Sequence, residues 1–172
     1  NLLPKVISGS SAGSLITGML GTHSDEELVK MYDGEGFYHH AWTWKRWREG
    51  LLGQGFADQR QLERFVRNNI GEYTFEEAFA KTGRHINVTV SPLQSHKARL
   101  MNELTSPYLL VWSAALASCA VPVLFPPVTL TTKNHQGEYH PYMPSERWVD
   151  GSVRSDLPRQ RLARLFNVNY FI

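Results

Sequence analysis

The chain has 172 residues, 42% hydrophobic and 20% charged, with a formal charge of +2. That length and composition fit one globular domain with a sizeable core, and the near-balanced charge gives no case for nucleic-acid binding. Cys119 is the only cysteine, which excludes an internal disulfide and favours a reducing compartment.

Residues 5–16 read Lys-Val-Ile-Ser-Gly-Ser-Ser-Ala-Gly-Ser-Leu-Ile. A short apolar strand (6–8) enters, a helix (about 12–20, stopped by Gly21) leaves, and Ser11 sits on the turn between them. Gly9-Ser10-Ser11-Ala12-Gly13 therefore has the layout of a nucleophile elbow. A nucleophilic serine must project from a sharp, strained turn. Glycines two residues either side remove Cβ atoms that would collide across it, and Ala12 keeps the crowding low. The helix start also directs free backbone N–H groups toward a developing oxyanion. A Ser/Gly-rich turn without chemistry would read the same.

Ser24-Asp25-Glu26-Glu27 is a capping box opening a helix from 25 to about 32. A turn at 33–36 and an aromatic, basic, partly helical stretch at 37–52 follow. Asp58 is a candidate cap for a helix carrying Leu62, Phe65, Val66 and Ile70 at helical spacing, stopped by Gly71. Thr74-Phe75-Glu76-Glu77 is a second capping box, with that helix ending at Gly83. Residues 86–91 alternate as a strand, which leaves the glycosylation sequon Asn87-Val88-Thr89 without weight. A further strand is expected near 99–104, a buried helix over 108–120 and a strand at 128–131. A polar loop (132–145), a strand at 148–150, a helix at 158–166 and a last strand at 167–172 complete the pass. Strands alternating with helices predict an α/β layered fold, with the chemistry gathered at the carboxyl ends of the strands.

Residues 104–132 carry no charge, but Pro107, Pro122, Pro126 and Pro127 leave only 108–121 uninterrupted. A helix there would span roughly 21 Å, short of a ~30 Å hydrocarbon core, so a buried helix is the reading.

A serine needs a base. The usual partner is His held by Asp or Glu, and the seven histidines are His23, His39, His40, His85, His96, His135 and His140. None lies in a motif; the last, His140, is in the polar loop. Asp150 is the better partner, because an Asp ending an apolar strand and followed by Gly151 is held rigidly at the sheet edge. A free Asp titrates at ~3.9, about three units or ~4 kcal/mol from neutrality; a dry site and a short hydrogen bond offset part of this. An Asp-Gly pair that merely starts a turn is the plainer alternative.

Taken together, three blocks resemble the patatin-like phospholipase family: Gly9-Ser10-Ser11-Ala12-Gly13 with Ser14-Leu15, the small-residue stretch Ala117-Ser118-Cys119-Ala120-Val121-Pro122-Val123-Leu124-Phe125-Pro126-Pro127, and Asp150-Gly151-Ser152-Val153-Arg154-Ser155-Asp156-Leu157-Pro158. Residues 3–8 and 23–28 further resemble its triacylglycerol lipase branch, the fungal lipid-droplet lipases and their bacterial relatives. The resemblance implies a layered fold with a central, mostly parallel sheet flanked by helices. It implies a Ser-Asp dyad of Ser11 and Asp150 that hydrolyses glycerolipid acyl esters through an acyl-enzyme, with no metal and no cofactor. Acyl transfer to a lysolipid would use the same site. It also implies an intracellular protein, peripheral at a membrane or lipid droplet.

The family's Gly-rich oxyanion loop lies well upstream of the elbow, and only eight residues precede Gly9 here. The chain lacks an initiator Met and a signal peptide, so residues 1–172 are expected to be one partial domain cut at both ends. Loss of an oxyanion donor costs roughly two to three orders of magnitude in rate, so weak activity is expected of these residues alone. Ser152 stands where many members have a second Gly, and Asp156 is assigned to the turn. Trp42, Trp44 and Trp47 lie among Lys45, Arg46 and Arg48, a candidate lipid-surface contact that also reads as a helix packing its Trp residues inward. A non-catalytic lipid-binding member and a Ser-His-Asp esterase remain as other readings; a nucleotide site lacks the Lys-Ser/Thr pair of a P-loop.

Overall fold

A computed structural model describes residues 3–32, 59–95, 97–120, 125–151 and 158–172. Along the chain these form β1 (Val6–Gly9), α1 (Ala12–Thr22), α2 (Asp25–Tyr32), α3 (Gln59–Ile70), α4 (Phe75–Thr82), β2 (His85–Pro92), β3 (Arg99–Met101), α5 (Val111–Ser118), β4 (Leu130–Lys133), β5 (Tyr139–Tyr142), β6 (Trp148–Asp150) and α6 (Arg159–Phe166). The turn expected at 33–36, the aromatic stretch with Trp42, Trp44 and Trp47, the Asp58 cap, His39, His40, His96, residues 121–124 and Asp156 fall outside the described residues.

The fold is α/β, and β2 is its axis. Alternate residues of a strand face opposite sides of the sheet, and in β2 Ile86, Val88 and Val90 make one row while Asn87, Thr89 and Ser91 make the other, all of them buried. β1 runs parallel to β2, pairing Val6–Gly9 with His85–Val88. β6 runs antiparallel, with Asp150 opposite Val90. β3 also runs antiparallel, with Met101 opposite Val88 and Arg99 opposite Val90. Since Val88 pairs with both β1 and β3, and Val90 with both β3 and β6, β1 and β6 share one edge of β2. They approach each other end to end, and Thr89 is the one β2 residue between their two ladders.

The apolar row is covered by α1, α4 and α5, with α3 packed behind them on α1 and α5. Every residue of α5 is buried, as its sequence requires: Ala114, Ala115 and Ala117 let neighbouring backbones close in, and its two serines bond to backbone. Ser113 Oγ accepts the Thr131 N–H at 2.9 Å. Among the described residues no helix is long and apolar enough to cross a membrane. On the opposite face, Leu162 of α6 lines a cleft of about 460 Å³ with Val6 and Ser8 of β1.

Both capping boxes form. The Ser24 N–H bonds Glu27 Oε2 at 2.7 Å; Thr74 Oγ1 accepts the Glu77 N–H while the Thr74 N–H bonds the Glu77 carboxylate. Gly83 closes α4 in the left-handed conformation. Three expectations are corrected. Gly21 does not end α1, which continues to Thr22; a Cβ there would overlap the Ile86 side chain, so it is a close-approach position. The polar loop at 132–145 is largely a hairpin, with Lys133 opposite Tyr139 and Leu130 opposite Tyr142. Its turn is held by Asn134 Oδ1, which accepts the Gln136 and Glu138 N–H groups at 2.9 Å each. The stretch 167–172 pairs with no strand among the described residues. Asn167 closes α6 at φ 53°, and Val168, Tyr170, Phe171 and Ile172 pass beside the cleft at β1.

The glycine contacts give a stability test. Overpacking costs about 1–3 kcal/mol, against roughly 1 kcal/mol that Ala gains over Gly in a helix. Gly21→Ala is therefore expected to lower the urea midpoint, whereas Gly13→Ala, whose Cβ would meet nothing within 4 Å, leaves it unchanged or raised. Equal midpoints for the two variants would contradict the packing.

Candidate active site

Ser11 has φ 52° and ψ −129°, a conformation that side-chain-bearing residues rarely adopt. Strain of this kind costs of order 1–3 kcal/mol and persists only where neighbours over-determine it. The neighbours are explicit. The Ser11 N–H donates to Ser118 Oγ at 2.9 Å. The Ser11 carbonyl accepts Ser14 Oγ at 2.6 Å, Cys119 Sγ at 3.3 Å and the Ser14 N–H at 3.0 Å. The Ser10 carbonyl accepts the Gly13 N–H at 2.9 Å. A Cβ on Gly9 would overlap the Gly13 carbonyl and Thr17 Oγ1, so the elbow needs glycine there. The matching expectation for Gly13 fails: that position is exposed, and it tolerates a side chain as far as tertiary contacts go.

These bonds also count the donors at the start of α1. The N–H groups of Ser11, Gly13 and Ser14 are occupied, and that of Ala12 has no acceptor among the described residues. One α1 donor is thus left for an oxyanion, from the residue directly after the serine.

Asp150 ends β6, 2% exposed, with its N–H on the Ala120 carbonyl at 3.0 Å. Opposite Val90, it faces the same side of the sheet as Val88 and Gly9. A Cβ on Gly151 would come within 2.8 Å of the Thr89 carbonyl carbon and oxygen. The chain after Asp150 lies against β2 so closely that only glycine fits, which is more than a turn preference.

Ser11 and Asp150 thus meet one structural unit, the end of α5. Ser118 takes the Ser11 N–H, Cys119 donates to the Ser11 carbonyl, and Ala120 takes the Asp150 N–H. Sequence reasoning used this stretch only as a likeness and missed its role. The one local sign was a second serine closing a helix with no charged residue, a hydroxyl that must find partners when buried, but nothing near it in sequence names those partners.

No histidine bonds Ser11 among the described residues. His23 binds the Met19 carbonyl at the far end of α1, about 16 Å from the elbow along an 11-residue helix. His85 pairs with Glu103 at the N-terminal end of β2, and His135 packs edge-on against Tyr108. His140, on β5, is exposed and faces Asn134 and Glu138. No group of three or more metal-ligating side chains occurs among the described residues.

Burial, together with the nearby negative charge of Asp150, pushes the Cys119 thiol up to about 12 despite the Ser14 hydrogen bond. At pH 8 only about one thiol in 10⁴ is then ionised, and the thiolate is the nucleophile. The expected result is no reaction of the native chain with iodoacetamide at pH 8 and full reaction in urea. Rapid labelling of the native chain would contradict the burial.

Comparison with known proteins identifies the family. Residues 1–163 match the family described as patatin-like phospholipase. A patatin-like phospholipase domain-containing protein of Aspergillus clavatus is 39% identical over 183 residues, covering 100% of this chain and 25% of its own length. One from Aspergillus oryzae is 38% identical, with 98% of this chain and 24% of its own length covered. Triacylglycerol lipase SDP1L of Arabidopsis thaliana is 38% identical over 99% of the chain and 24% of its own length. The chain spans about a quarter of the length of these relatives. With its elbow, its buried strand-end aspartate and a match over nearly all its residues, the chain belongs to the patatin-like phospholipase family.

Proposed function

We propose that this chain carries the catalytic centre of a lipid acyl hydrolase that cleaves glycerolipid esters with Ser11 as nucleophile and Asp150 as general base. The observation that supports it most is the strained Ser11 on an α5 end that also holds Asp150 by its backbone. A strained serine backbone, a buried carboxylate and an unoccupied N–H one residue on are what acyl transfer needs together. The family and the lipase relative support an acyl ester as the substrate class.

In the proposed reaction the Asp150 carboxylate takes the Ser11 Oγ proton as the oxygen attacks the ester carbonyl. The Ala12 N–H stabilises the oxyanion. The tetrahedral intermediate collapses, Asp150 returns the proton to the departing alcohol, and the acyl group stays on Ser11. A water molecule, deprotonated by Asp150, releases the fatty acid and restores the serine. A lysolipid hydroxyl in place of water gives acyl transfer. The site would work at a membrane or lipid-droplet surface, with Trp42, Trp44 and Trp47 as candidate contacts.

Fluorophosphonate labelling and ester turnover test this. Ser11→Ala is expected to abolish both. Asp150→Asn lowers them by about 10²–10⁴-fold, the range for a lost general base, and His140→Ala changes neither. Activity surviving Ser11→Ala, or undiminished in Asp150→Asn, would overturn the assignment; loss in His140→Ala would favour a Ser-His-Asp site.

A further inference from the structure

We propose that Ser118 is a positioning residue of the active site, its hydroxyl fixing the strained Ser11 backbone to β2 and so setting the direction of attack. This rests on the serine-hydrolase reading of Ser11.

Ser118 is fully buried at the last position of α5. A serine hydroxyl has one proton to give and two lone pairs. The proton goes to the Thr89 carbonyl at 2.9 Å, and a lone pair takes the Ser11 N–H at 2.9 Å. Both partners lie at the gap on the β1/β6 edge of β2, although Thr89 pairs with Leu100 of β3 on the other edge. The β1 pairing stops at Gly9 opposite Val88, and the β6 pairing begins at Asp150 opposite Val90. Ser118 therefore closes the break between the two strands that end at the elbow and at the aspartate.

The bond has a chemical consequence. With its N–H engaged, Ser11 cannot relax toward an ordinary extended backbone without breaking that bond and leaving a part-buried donor unpaired, since the Ser118 hydroxyl stays on the Thr89 carbonyl. The same bond withdraws the Ser11 N–H from the oxyanion and leaves that task to Ala12. Ser118 touches no reacting atom, so its loss should lower kcat with KM little changed.

Thr and Val at position 118 differ by a hydroxyl at nearly constant shape, so they separate the hydrogen bond from packing. Turnover of a short-chain p-nitrophenyl ester is measured per active site, counted by fluorophosphonate titration, so that misfolded protein drops out. Ser118→Thr is expected to keep kcat within about fivefold of wild type. Ser118→Val and Ser118→Ala are expected to lose about 30–100-fold in kcat per titrated site at unchanged KM, with the acid limb of the pH profile unmoved. Wild-type kcat per titrated site in either hydroxyl-free variant, or equal loss in Thr and Val, overturns the positioning role. If Ser118→Val does not fold, Ser118→Ala carries the same comparison with wild type and Thr. Ser11→Ala is run alongside: activity that survives it refutes the serine nucleophile itself, which a negative result at Ser118 alone does not.

Discussion

The Ser11 N–H, the Ser118 hydroxyl and the Thr89 carbonyl form one chain of hydrogen bonds, and the geometry around the elbow depends on it. A backbone at φ 52° is unstable by itself for a residue with a side chain. It persists because each of its polar groups is received by a fixed partner, and those partners belong to buried elements. The link runs from the elbow through the end of α5 to the central strand, so Ser11, helix and sheet are held as one body.

Such a link places demands on the rest of the packing. α5 must come close enough for a serine hydroxyl to reach both a neighbouring turn and the strand beneath it. That explains its composition, in which Ala114, Ala115 and Ala117 leave the helix thin where it meets α1 and β2. Gly21 does for α1 what these alanines do for α5, by allowing close approach over Ile86. Small residues in this core therefore set distances more than they fill volume. Bulk comes from Ile70, Phe75, Leu110 and Trp148, all fully buried.

Much of this was legible in the sequence because local rules and tertiary structure agree. The strand–turn–helix at Ser11, both capping boxes and the helical spacing of Leu62, Val66 and Ile70 depend on neighbours close in sequence, and each forms as read. The failures depend on neighbours far away. Gly21 has the local signature of a helix stop, but its role is fixed by Ile86, 65 residues on. The β4–β5 hairpin is half-exposed and polar, so it lacks apolar alternation; its cohesion comes from Asn134 and from Tyr139 and Lys133 reaching Glu72. The stretch 167–172 has strand composition but finds no pairing partner among the described residues, and composition alone cannot supply one. In the candidate site, Ser11 and Asp150 stand out as candidates from their immediate surroundings, whereas Ser118 does not, because its partners lie 107 and 29 residues away.

The topology explains why two residues so distant in sequence converge. A parallel strand and an antiparallel strand on the same edge of β2 run toward each other, so both present their carboxyl ends at one point. β1 delivers Ser11 two residues past its last pair, and β6 delivers Asp150 at its last pair, on the two sides of Thr89. In a sheet of parallel strands, carboxyl ends meet side by side along one rim; here they meet head to head within a single edge. The interruption this creates in the ladder would leave backbone groups unsatisfied in the interior, and it is closed by a side chain instead of a strand. The need to satisfy that break and the need to hold the strained Ser11 backbone are thus met by the same hydroxyl, which ties the stability of the sheet to the geometry of the candidate site.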